Sequence, residues 1–209
     1  CDSVVVDPHK HGLQPYGCGA VLFADPAVGR FYQHDSPYTY FTSTELHLGE
    51  ISLECSRAGA PAAALWLTLQ VLPLTRDGLG EVLAAGRRAA LRWAELIAES
   101  QLLELYQQPE LDIVTYFPAA DQLSTVDALA AGMLGDGMRD PDDPVFLSTL
   151  RVTGESFVAR GLRVRPDVPR GRILRSVLMK PEHETYLPRL HARVERLAGS
   201  AHARKVGLA

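Results

Sequence analysis

The order Val4-Val5-Val6-Asp7-Pro8-His9-Lys10 constrains this chain more than any other stretch of it. Three β-branched residues closed by Asp-Pro read as a short buried strand that ends in a turn, because branched side chains suit a pleated surface and proline halts the ladder. Lys10 follows directly, at the strand exit. Low-dielectric surroundings there favour the neutral amine over the ammonium. A neutral amine can attack an aldehyde and form a Schiff base. A lysine that snorkels its charge into water from a strand end accounts for the same residues, and both readings stand at this point.

Composition narrows the classes. The 209 residues carry a net charge of -4 and 46% hydrophobic residues, enough for one or two modest cores. Mild acidity argues against a nucleic-acid surface. The sequence contains neither an apolar run of membrane-spanning length nor a signal-peptide pattern, so a cytoplasmic protein is expected. Cys1, Cys18 and Cys55 are an odd count without Cys-x-x-Cys spacing, which suggests neither a disulfide framework nor a zinc site. His9 and His11 have no further ligands at metal-binding spacing, so no metal is expected.

Along the chain, residues 19–24 form a second apolar run, a strand paired with or adjacent to the first, with Gly12, Gly17 and Gly19 where the backbone must turn. Residues 26–50 lack a sustained period and hold Tyr32, Tyr38, Tyr40 and Phe41, the pattern of a lid or binding loop, or of an aromatic loop packed on a neighbour. Ser56 to Leu74 reads as a buried helix, apolar on nearly all faces. Residues 81–105 form an amphipathic helix, with Val82, Ala89, Trp93, Leu96 and Ile97 on one side and Arg87, Arg88, Arg92 and Glu95 on the other. Beyond Pro109 come strands at 111–117, 145–152 and 173–179 and helices at 122–134, capped near Ser124, and 182–197. The tail after Gly199 is small and basic, and is expected to fray.

Asp7-Pro8-His9-Lys10 with Gly12 and Gly19-Ala20-Val21-Leu22-Phe23 resembles the cofactor-lysine segment of the group II pyridoxal-phosphate-dependent decarboxylases, the family of the aromatic amino acid, tyrosine and glutamate decarboxylases. Glu54-Cys55-Ser56-Arg57-Ala58-Gly59-Ala60 resembles the family's segment at the start of the helix after the active-site loop. Two matches in order are far more specific than either alone. The resemblance implies an α/β fold: the C-terminal part of a fold-type I pyridoxal-phosphate-dependent transferase-like large domain over 1–105, then a small α+β C-terminal domain over 106–209. It implies pyridoxal 5'-phosphate held as a Schiff base by Lys10, with His9 on the cofactor and Ser56 reaching the phosphate of a neighbouring subunit. A tyrosine on the loop after the lysine protonates Cα in such enzymes; Tyr38 is the first candidate by position and Tyr40 the second. Arg57 either contacts a carboxylate or sits in an ion pair at the subunit boundary. In the family, the ring that stacks on the pyridine and the aspartate that pairs with its nitrogen lie before the lysine segment. The chain is therefore expected to need a complementary N-terminal half and to act on an amino acid as a homodimer.

Other readings of the same residues remain. The lysine segment does not choose between decarboxylase, aldehyde lyase and aminotransferase. Ser56 serves equally as an ordinary helix cap. Cys1 suits, by position, an N-terminal nucleophile with its own α-amine as base. A half-enzyme that keeps the fold without catalysis is the remaining alternative.

Overall fold

The computed structural model describes residues 1–33, 58–205 and 207. They divide into two compact units, Cys1–Leu79 and Gly80–Ala209.

The first unit opens with an antiparallel hairpin of β1 (Ser3–Val6) and β2 (Ala20–Phe23), in which Val5 pairs with Val21 and Val4 with Leu22. A 3₁₀ turn, Pro26–Phe31, follows, its start capped by Asp25, whose carboxylate accepts the Ala27 N–H at 2.9 Å. Helix α1 spans Ala60–Val71, with Pro61 in its first turn, where the missing N–H costs nothing. The hairpin forms where the sequence predicts it and the helix forms within the predicted stretch but shorter, over Ala60–Val71, and the expected burial is absent. All four β1 residues are exposed, and α1 has no buried residue. Val5 keeps 68% of its surface accessible and Trp66 65%. β-branched and aliphatic runs specify local structure through steric preference. Burial needs a second surface, and this unit does not supply one to the hairpin.

The second unit does. Helix α2 (Leu79–Glu99) is followed by β3 (Leu103–Gln107), β4 (Ile113–Pro118), α3 (Leu123–Arg139), β5 (Ser148–Thr153), a short α4 (Gly154–Ala159), β6 (Arg170–Val177) and α5 (His183–Lys205). The strands form one antiparallel sheet in the order β3-β4-β6-β5. Adjacent strand residues point to opposite faces, and both faces are used. Tyr116 and Leu174 join Trp93, Ile97, Met133 and Leu187 in one cluster with α2, α3 and α5. Phe117 and Ile173 join Tyr106, Val152 and Phe157 in another. The Phe157 ring meets Phe117 and Tyr106 edge-on at 5.2 and 5.3 Å. Each large side chain so buried contributes roughly 1.5–3 kcal/mol.

Several boundaries differ from the sequence reading. Helix α2 stops at Glu99 rather than 105, because the Ser100 hydroxyl accepts the N–H groups of Leu102 and Leu103 and turns the chain into β3. Its buried face, Ala89, Ala90, Trp93 and Ile97, packs in the second unit, although a division at 105/106 groups it with the first. Gln122, extended and without a side-chain cap bond, precedes helix α3, and Ser124 sits in its first turn, its N–H and hydroxyl donated to Asp167. Helix α5 runs through Gly199 to Lys205, because Ala198 and Ala201 are buried in the core and Arg204 pairs with Asp136 of α3.

Within this unit Arg193, 7% exposed, ties the segment before β5 to α5. It donates to the carbonyls of Asp143 and Pro144 at 2.5 and 2.6 Å and to the Tyr186 hydroxyl at 2.5 Å. Its Nε lies 2.7 Å from Asp143 Oδ2, a charge contact off the N–H direction.

Candidate functional site

The turn that carries His9 and Lys10 is assembled from backbone bonds that close on one another. The Lys10 N–H donates to the Asp7 carbonyl at 3.0 Å, Gln14 N–H to Pro8 at 3.1 Å and His9 N–H to Cys18 at 3.3 Å. Gly12 passes so close to Pro8 that a Cβ there would lie 2.7 Å from the Pro8 carbonyl oxygen, so no side chain fits. Leu13 holds the left-handed conformation at φ 59°, which costs energy in a branched residue and persists where the surroundings impose it. Gln14 imposes it: the side chain is 7% exposed, and its amide donates to the Gly12 carbonyl at 3.0 Å and to Thr68 Oγ1 on α1 at 2.8 Å. Cys18, also buried, directs its thiol to the Pro61 carbonyl at 3.6 Å. The lysine turn is thus fastened to α1 at two points.

Lys10 itself is not held in low-dielectric surroundings. Its side chain is 57% exposed, and Nζ lies 2.6 Å from Asp7 Oδ2. The hydrogen bond from Lys10 holds the Asp7 carboxyl below the usual carboxylate range. This corrects the expectation of a buried amine: a strand whose faces are open to water cannot desolvate the residue at its end. Openness also makes Nζ reachable by an aldehyde.

His9 is more constrained. Its Nδ1 lies 3.0 Å from the Cys18 carbonyl oxygen, which only accepts, so Nδ1 carries the proton. Nε2 has no partner among the described residues. The ring stacks on Tyr16, with centroids 5.0 Å apart and planes 25° apart. Gly17, at φ 91°, provides the backbone turn that follows Tyr16. The structure therefore joins His9, Lys10, Asp7 and Tyr16 in one turn. Gln14 and Tyr16 escape a motif search; the only sign of them is a polar and an aromatic residue flanking Pro15 before a glycine.

Tyr38, Tyr40, Ser56 and Arg57 lie outside the described residues. Cys1 is exposed. Among the described residues no three His, Cys, Asp or Glu side chains gather as metal ligands, and no helix is long and apolar enough to cross a membrane. A cleft of about 690 Å³, lined by Asp121, Gln122, Thr125, Arg165, His202 and Lys205 among others, belongs to the second unit alone.

No family model matches the chain. It is 33% identical over 125 residues to the L-tyrosine decarboxylase of Enterococcus faecium, an alignment covering 55% of this chain and 20% of that protein. It is 30% identical over 186 residues to the aspartate 1-decarboxylase of Aliivibrio fischeri, covering 86% of this chain and 33% of that one. The chain thus spans a third or less of the length of these two relatives. Among solved structures, it superposes on Oryza sativa TDC with PLP and tryptamine at a TM-score of 0.75 and 12% identity, covering 95% of this chain and 39% of that one. That likeness concerns the fold, which is the α/β fold of the fold-type I pyridoxal-phosphate decarboxylases. The aligned relatives, the shared fold and the lysine turn lead to one conclusion: the chain is related to the group II pyridoxal-phosphate-dependent amino acid decarboxylases and matches the C-terminal part of such proteins.

Proposed function

We propose that this chain provides the lysine segment and C-terminal region of an enzyme that decarboxylates an L-amino acid to an amine and carbon dioxide. The observation that carries the reading is the turn that presents Lys10 Nζ to solvent beside a His9 ring whose Nε2 has no partner among the described residues. These residues suit pyridoxal phosphate, since a primary amine open to an aldehyde and an imidazole nitrogen open to an anion are the donors its two ends require. When bound, the cofactor supplies an electron sink that lets a bond to Cα break.

The chain's own residues do the rest. Lys10, whose amine lies exposed beside Asp7, would hold the cofactor through its aldehyde carbon, the aldehyde oxygen leaving as water. His9 Nε2 would hold the phosphate. Ser56, just ahead of α1, supplies a hydroxyl to the phosphate across a homodimer boundary. Tyr38, with Tyr40 as second candidate, gives a proton to Cα after carbon dioxide leaves and excludes water from the site as its loop closes. The exposed valines of the hairpin and the exposed apolar residues of α1 support a complementary N-terminal half as partner, since apolar side chains left open to water favour an interface. We read the assembled protein as a cytoplasmic homodimer. The named relatives make L-tyrosine and L-aspartate the first substrates to try.

The test is borohydride reduction of the chain, reconstituted with its N-terminal half and loaded with pyridoxal phosphate, followed by peptide mass analysis and amine detection. A pyridoxyl group on Lys10 together with amine and carbon dioxide is the expected result. Label on another lysine overturns the role of Lys10. Label on Lys10 with a keto acid or aldehyde as product assigns the chain to an aminotransferase or aldehyde lyase instead.

A further inference from the structure

We infer that Tyr16 is a positioning residue for the cofactor phosphate, acting through His9. The inference rests on the reading of His9 as a phosphate contact and adds a residue that no motif of the chain includes. Two constraints define an imidazole's pose: an in-plane hydrogen bond, which sets the direction of the ring nitrogens, and a contact on the ring face, which sets its tilt. The Cys18 carbonyl provides the first, accepting from Nδ1 at 3.0 Å and also from the His9 backbone N–H at 3.3 Å. Tyr16 provides the second, with 25° between the ring planes. Without the tyrosine the hydrogen bond alone holds the ring, its tilt is no longer set, and the direction in which Nε2 points swings with the ring plane.

Among the described residues Tyr16 has little other role. It is 91% exposed, so its ring adds almost nothing to a core, and its ring contact is with His9. The turn around it is built to return the ring over His9: the Cys18 N–H donates to the Pro15 carbonyl at 3.4 Å, and Gly17 adopts φ 91°. Aromatic pairs of this kind prefer offset stacking and contribute beyond their buried area. Stacking needs the ring and not the hydroxyl, so phenylalanine should serve as well as tyrosine.

The experiment compares affinities of the reconstituted enzyme for pyridoxal phosphate and for pyridoxal, which lacks the phosphate. Their ratio isolates the phosphate contact from the lysine bond and from general folding, so a merely structural role leaves the ratio unchanged. His9→Gln should collapse the ratio. Tyr16→Ala should lower it about two- to tenfold, while Tyr16→Phe should stay within about twofold. In the His9→Gln background, Tyr16→Ala should change the ratio no further, because the two residues act through one contact. An unchanged ratio in Tyr16→Ala, an equal loss in Tyr16→Phe, or a full Tyr16→Ala effect without His9 overturns the positioning role. An unchanged ratio in His9→Gln overturns the reading of His9 itself, whatever Tyr16 does.

Discussion

On β6, Ile173 and Leu174 are both fully buried, one against each face of the sheet. On β1, Val5 and its cross-strand partner Val21 keep 68% and 55% of their surface exposed. The residue types are alike and the strand geometry is alike. The second unit surrounds its sheet with helices and closes two clusters of its own. The first offers a two-stranded hairpin, which is marginal in water unless something packs on it. All the largest fully buried side chains, from Trp93 to Leu187, belong to the second unit. The residues proposed for chemistry belong to the first. The second unit thus closes its own core, and the reactive turn sits in the unit whose apolar side chains stay open to water.

That contrast can be broken most sharply at Lys10. Lys10→Arg keeps the charge near Asp7 but cannot form an imine, so covalent cofactor attachment should disappear entirely while the thermal melt of the second unit stays the same; residual label at wild-type level would remove the turn from the chemistry. Next in size is the loop tyrosine. Tyr38→Phe should slow amine formation roughly a hundred- to ten-thousand-fold, with Tyr40→Phe as the control, and the rate of amine release decides which of the two donates the proton. If both variants run at the wild-type rate, the donor is elsewhere.

Truncating the same kind of side chain in each unit tests the comparison itself. Ile173→Ala should cost about 2–5 kcal/mol in denaturant unfolding, as buried aliphatic truncations do. Val5→Ala should change the stability of the isolated chain by less than about 0.5 kcal/mol, as exposed positions do. The sharper version repeats Val5→Ala in the presence of the N-terminal half: a cost that rises there locates the missing cover on the hairpin, and a cost that stays small denies it.

The smallest effect lies at the start of α3. Ser124 donates its hydroxyl and N–H to Asp167 at 2.5 and 2.9 Å, and these bonds hold the Asp167 carboxyl below the usual range. A depressed carboxyl stabilises the fold above its ordinary value, about 3.9, and that stabilisation fades as pH falls through the lower folded value. Melting curves at pH 7 and pH 3 should therefore show a slightly larger acid loss in wild type than in Asp167→Asn. Equal losses would mean the pair adds nothing measurable, which is common for exposed groups.

How much was legible in the residues varies with the range of the forces involved. Asp-Pro after three valines determined the strand and its turn, since proline and β-branching act on their own backbone. The spacing of Ala89, Trp93 and Ile97 determined the buried stripe of α2. Glycine at position 12 followed from a turn that leaves no room for a Cβ, although the close approach to Pro8 was visible only in three dimensions. Tertiary structure alone decided where helices end. Ser100 stops α2 by local bonds that compete with the continuing apolar pattern of Leu102 and Leu103. Past Gly199, α5 continues because Ala201 and Arg204 meet α3 from far along the chain. Tertiary structure also decided that Lys10 is open to water and that Tyr16 lies on His9. Burial and stacking depend on which surfaces come together, and no local preference of a valine or a tyrosine encodes that.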